Sequence, residues 1–109
     1  MRIVTLTGFL VARSLDEADR ISVLVPDYVR ETLAEPGCLT CEVWRSRADP
    51  VRFALREVYA GQGAFEAHRS RIEGRPWGKA TANVPSDLRI TEGLAPASLK
   101  GDADEGRGA

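Results

Sequence analysis

Residues 35–44 read EPGCLTCEVW, from Glu35 to Trp44. This stretch holds both cysteines of the chain, Cys38 and Cys41, spaced C-x-x-C. The spacing suits a redox dithiol or half of a zinc site. A reactive dithiol needs its first cysteine at a helix N-terminus, where the dipole favours the thiolate. Here Leu-Thr-Cys-Glu-Val-Trp follows Cys38, a run that favours a strand. In a regular strand, positions three apart point to opposite faces, with Cα atoms about 10 Å apart. A disulfide needs Cα atoms within about 7 Å. Two cysteines and one histidine also fall short of four N/S zinc ligands. The expectation is two small, reduced thiols in a strand, facing opposite ways. Pro36-Gly37 stops whatever precedes the strand.

What precedes it is a helix. Ser14-Leu15-Asp16-Glu17 has the S-x-x-E form of a capping box. Ile21, Leu24, Val25, Tyr28 and Thr32 then share one helical face. Pro26 interrupts the pattern and predicts a kink or two short helices. Before the helix, Arg2 to Arg13 alternates with apolar residues on both faces, as in a strand buried on both sides. Downstream, Leu39–Ser46 and Val51–Tyr59 read as a hairpin turning at Arg47-Ala48-Asp49-Pro50. Gly61–Arg71 reads as a second, weakly capped helix with Ala64, Phe65, His68 and Ile72 on one face. Residues 74–83 read as irregular, or as a helical turn around Trp77. Leu88–Glu92 reads as a short last strand. The order β-α-β-β-α-β predicts an α+β, ferredoxin-like antiparallel sheet over residues 1–95. Residues 96–109 are small and polar and read as a disordered tail. Helices cover one sheet face only, and the apolar residues of the other predict a second copy packed against it.

Composition excludes some function classes. The net charge is −1, and the arginines are dispersed, which argues against nucleic-acid binding. No apolar run approaches the roughly 20 residues that span a bilayer. The N-terminus lacks a small-residue cleavage site and reads as a strand, not a signal peptide. A cytoplasmic location is the expectation.

Three pieces of sequence recur together. Glu35-Pro36-Gly37-Cys38-Leu39 is followed by Asp49-Pro50-Val51-Arg52-Phe53-x-Leu55-x-Glu57, then by Ala64-Phe65-x-x-His68. In this order and spacing the pieces resemble the antibiotic biosynthesis monooxygenase family. The resemblance covers roughly residues 2–92. It implies a homodimeric α+β barrel with two sheets face to face, helices outside, and a small apolar pocket between each sheet and its helices. It further implies oxidation of a quinol or polyphenolic aromatic by O₂, with no metal or flavin cofactor. Relatives include haem-degrading proteins and an isomerase of a signalling sugar phosphate. The haem-degrading relatives use an Asn on the first strand; residues 2–13 contain none, and the sole Asn is Asn83. A non-catalytic small-molecule-binding or stress-related dimer is the reading from another class, and an isomerase of a small metabolite on the same fold is a third.

His68, the sole histidine, lies on the apolar face of the second helix. It is either a core histidine satisfied by a carbonyl or by Glu57, or the base that takes a phenolic proton. The resemblance implies a pocket-lining position. Glu57, in line with Phe53, Leu55 and Tyr59, needs a partner to be buried. Arg45, Arg56 or a group across the dimer interface would serve, or Glu57 would orient His68. Trp77, Tyr59, Trp44 and Phe65 are candidate walls for a planar substrate. Trp77 is favoured over Trp44, because Trp44 shares a strand face with Cys38, Thr40 and Glu42 and equally suits an interface.

Overall fold

A computed structural model describes residues 2–94. The tail expected from residue 96 lies outside the described residues. Strand β1 spans Arg2–Val11, helix α1 Leu15–Leu33, β2 Cys38–Arg45 and β3 Arg52–Tyr59. Helix α2 spans Gln62–Ile72, α3 Pro76–Thr81 and β4 Ser86–Leu94. The strands form one antiparallel sheet in the order β2-β3-β1-β4. This is the α+β ferredoxin-like arrangement read from the element order. The last strand is longer than expected, because β1 offers it nine paired positions, from Arg2↔Leu94 to Leu10↔Ser86.

The capping box forms in part. Ser14 Oγ accepts the Glu17 backbone N–H at 3.1 Å. Glu17 turns its carboxylate to Arg13 instead of to Ser14, accepting the Arg13 backbone N–H at 2.8 Å and its guanidinium at 2.6 Å. Pro26 does not divide α1, which is one helix of 19 residues. Pro26 lies on the exposed side, so the carbonyl deprived of its N–H partner can meet water, while Ala18, Ile21, Tyr28 and Thr32 remain buried on the sheet. Burial on the sheet outweighs one missing hydrogen bond. Gly37 then takes φ +84°, the left-handed conformation open to glycine. A Cβ there would lie 2.6 Å from the Ala64 Cβ of α2.

Sheet register decides which side chains meet the helices. Val4, Leu6 and Leu10 of β1 lie beside Tyr59, Glu57 and Phe53 of β3, all on the helix side. Leu6 and Gly8 lie beside Ile90 and Leu88 of β4. The opposite face carries Thr7, Phe9, Ala54, Arg56, Thr40, Glu42 and Trp44 and has no covering layer among the described residues.

Both cysteines lie in β2 as expected, but the expectation that they face opposite ways is overturned. A bulge shifts the β2–β3 register between Cys38 and Thr40, so Cys38 pairs with Tyr59 and Cys41 with Glu57. Tyr59 and Glu57 share a face, so both cysteines face the helices. One extra residue restores the parity that an ideal strand would break. Both thiols are free, Cys41 buried and Cys38 half-buried.

Candidate active site

Helix α2 packs on β1 and β3, α3 packs on α1 and α2, and between them and the sheet lies a cavity of about 280 Å³. Its walls are Leu6, Leu10, Leu55, Leu88 and Ile90 from the sheet, Phe65 and Ile72 from α2, Trp77 from α3, and Val84. Trp77 stacks on Tyr28 of α1, with ring centroids 4.3 Å apart and planes 16° apart. Such a pair adds about 0.5–1.5 kcal/mol beyond its buried area. Leu88 and Ile90 line the cavity yet are 39% and 54% exposed; solvent reaches the cavity along β4.

One wall is polar and buried. Glu57, 1% exposed, and His68, 2% exposed, face each other from β3 and α2. Tyr28 brings its hydroxyl between them, 2.5 Å from Glu57 Oε2 and 3.2 Å from His68 Nε2. Tyr59 donates to the other Glu57 oxygen at 2.6 Å. His68 Nε2 lies 3.5 Å from Glu57 Oε1. On its far side, His68 Nδ1 lies 3.0 Å from Glu35 Oε1, and Glu35 Oε2 accepts Arg75 Nη1–H at 2.7 Å. Arg71 lies 3.6 Å from Glu35. The chain of groups runs from the cavity through His68 to Glu35 at the end of α1. Beyond Glu35 is a surface depression lined by Glu31, Pro36, Arg71 and Arg75.

The tyrosines are strongly biased to the neutral phenol. Burial, then the charge of Glu57, then the hydrogen bond to it, push the Tyr28 and Tyr59 hydroxyls far up. Burial, followed by the Glu57 charge, also pushes the Cys38 thiol up to about 11 and Cys41 higher still. Among the described residues, no group of three or more metal-ligating side chains converges.

The structure brings together His68, Glu57, Phe65 and Trp77 at the cavity. Tyr59 lies behind it, fully buried, and touches Glu57 and not the cavity space. Trp44 lies on the opposite sheet face, 50% exposed, and is no wall of this cavity. Glu57 uses neither Arg45 nor Arg56: Arg45 pairs with Asp19 and Arg56 with Glu42. Its partners are Tyr28, Tyr59 and His68. The sequence reading placed Tyr28 on a core-facing helix side and Glu35 at a helix stop, and assigned neither to the site. A buried tyrosine does signal a required partner for its hydroxyl. Glu35 and Arg75 carried no such signal.

The fold recurs in solved structures. A provisionally named antibiotic biosynthesis monooxygenase from Deinococcus radiodurans is 28% identical to this chain, with a TM-score of 0.63, covering 91% of this chain and 96% of its own. One from Nitrosomonas europaea is 24% identical, with a TM-score of 0.69, covering 87% and 92%. One from Bacteroides thetaiotaomicron is 16% identical, with a TM-score of 0.66, covering 88% and 92%. No curated protein shows significant similarity to the chain. The family model described as antibiotic biosynthesis monooxygenase matches residues 10–74, more than half of the chain. That span runs from the end of β1 past His68, and the chain belongs to the antibiotic biosynthesis monooxygenase family.

Proposed function

We propose that the protein is a cofactor-independent monooxygenase that oxidises a quinol or polyphenolic aromatic with O₂. The observation that carries this reading is an apolar, partly aromatic cavity with one buried acid–base wall, Glu57–Tyr28–His68. The walls suit a planar ring. The polar wall suits its hydroxyl. Removing the phenolic proton gives a phenolate that O₂ oxidises more readily. For a hydroquinone the overall reaction is hydroquinone plus O₂ giving hydroxyquinone plus water, with the substrate supplying all four electrons. His68 is the proposed base, Glu57 its orienting partner, and Phe65 and Trp77 the proposed ring contacts. Among the described residues, Arg69 is the sole arginine or lysine lining the cavity, whereas a phosphorylated sugar calls for several converging cations. This favours the quinol over the isomerase reading.

The proposed working form is a homodimer joined through the open sheet faces, which places Trp44 at the interface. The test is oxygen uptake with a panel of hydroquinones. Wild type should consume oxygen above autoxidation, and His68→Ala should lower kcat by roughly 100- to 10,000-fold. If wild type matches the background across the panel, the protein binds without turnover and the oxygenase reading falls.

A further inference from the structure

Hydrogens must fill three gaps around His68. Between Glu57 Oε2 and Tyr28 Oη the gap is 2.5 Å, between Tyr28 Oη and His68 Nε2 it is 3.2 Å, and between His68 Nδ1 and Glu35 Oε1 it is 3.0 Å. Each gap needs one hydrogen, or lone pair faces lone pair inside a buried site. Tyr28 brings one and a neutral imidazole brings one. Glu35 already answers the guanidinium of Arg75 and lies near that of Arg71, so the ring fills the Nδ1 gap. Tyr59 cannot help, because its hydrogen lies on the other oxygen of Glu57. One hydrogen is still missing. It resides on Nε2, with Tyr28 donating to Glu57, or on Glu57, with Tyr28 donating to Nε2. The two arrangements differ by two short hydrogen shifts and no movement of heavy atoms.

We infer that Glu57, Tyr28 and His68 act as one acid–base unit that stores a single proton, with the Tyr28 hydroxyl as a two-way relay between the carboxylate and the imidazole. Emptied of that proton, the unit has a bare Nε2 facing the lone pairs of Tyr28. In that emptied form a ligand hydroxyl donating to Nε2 removes the conflict, so the emptied unit favours a molecule with an exchangeable O–H. On the oxygenase reading, on which this use of the unit rests, the stored proton first leaves to solvent at the β4 side of the cavity; the substrate O–H then breaks and an Nε2–H forms. The electron pair stays on the phenolate oxygen. The stored proton later returns to the oxygen atom of O₂ that leaves as water. The charged and titratable groups around the unit are Glu35, Arg71 and Arg75 on the Nδ1 side, Tyr59, Cys38 and Cys41 beside Glu57, and Arg69 at the cavity.

Because His68 is the sole histidine, ¹⁵N NMR of the ligand-free protein reads its ring without ambiguity. At pH 7, Nδ1 should be protonated, and Nε2 should be protonated or averaged between protonated and bare. In Glu57→Gln, Nε2 should move to the bare position, because the amide supplies the missing hydrogen. In Tyr28→Phe, the proton should stay on the ring without averaging. A bare Nε2 in wild type at pH 7 overturns the inference, and so does a doubly protonated ring that Glu57→Gln leaves unchanged. These spectra need no substrate, so they can succeed where the oxygenase reading fails. With a hydroquinone that wild type turns over, Tyr28→Phe should lower kcat at least roughly tenfold with KM little changed. Unchanged kcat removes the relay role.

Discussion

His68 is caught between two carboxylates, Glu35 and Glu57, at a position that is 2% exposed. That placement rests on single atoms: Tyr28 Oη, 29 residues away from Glu57 in sequence, and Glu35, 33 residues from His68. The same burial and the charge of Glu57 hold both thiols in their protonated form. Native protein at pH 8 should therefore resist iodoacetamide at Cys38 and Cys41, and unfolded protein should take up two equivalents, counted by mass spectrometry. Rapid labelling of the native protein would contradict this placement. At the start of α1, the side-chain hydrogen bond from Arg13, aided by the Arg13 backbone N–H, holds Glu17 down to about 2, against a usual 4.5. A lowered carboxylate stabilises the fold above its unfolded value and loses that contribution as pH falls through its folded value. Wild type should accordingly lose stability between pH 4.5 and about 2 more steeply than Glu17→Gln, as read by denaturant titrations across that range. Glu57 and His68 could be picked out in the sequence, because a carboxylate and an imidazole on apolar faces are anomalies. Tyr28 signals only that its hydroxyl needs a partner, and Glu35 and Arg75 signal nothing, because no local spacing links α1, β3, α2 and the start of α3.

Among the elements, β2 shows how one residue changes chemistry. Its bulge turns Cys38 to the same side as Cys41, and the C-x-x-C spacing alone could not reveal this, since bulges depend on the partner strand. Helix α1 shows the opposite balance: Pro26 is a local break signal that tertiary burial overrides. The short α3 is fixed by close approach. Gly78 lies so near the end of α2 that a Cβ would overlap the Ile72 carbonyl oxygen. Gly78→Ala should push α3 outward, lower stability by about 1–3 kcal/mol, and loosen Trp77 from Tyr28. Denaturant melts should show the first effect and near-ultraviolet circular dichroism the second; a variant as stable as wild type would show that α3 is free to shift. The sequence marked residues 74–83 as irregular or a turn around Trp77, and six of them form this helix. Its cap carries no side-chain signal, since Arg75 is the N-cap and spends its guanidinium on Glu35.

For the whole molecule, one face of the sheet stands open among the described residues. Trp44 is 50% exposed there, on the same side as Phe9 and Ala54. Under the dimer proposal, Trp44→Asp should shift sedimentation at micromolar concentration from dimer to monomer, because it places a charge in an apolar interface. A wild-type monomer at that concentration would count against the paired-sheet arrangement. No helix among the described residues is long and apolar enough to cross a membrane. By its motifs the sequence pointed to the family, and by itself it determined the order of the four strands with α1 and α2 and the core-facing sides of α1, α2 and β3. These follow from periodicity, caps and turns, which act over a few residues. Only the tertiary structure decided the cavity and its acid–base wall. Sheet register and helix packing link Glu57, Tyr28, His68, Glu35 and Arg75 into one chain of successive hydrogen bonds, and that chain depends on burial and packing between segments distant along the sequence.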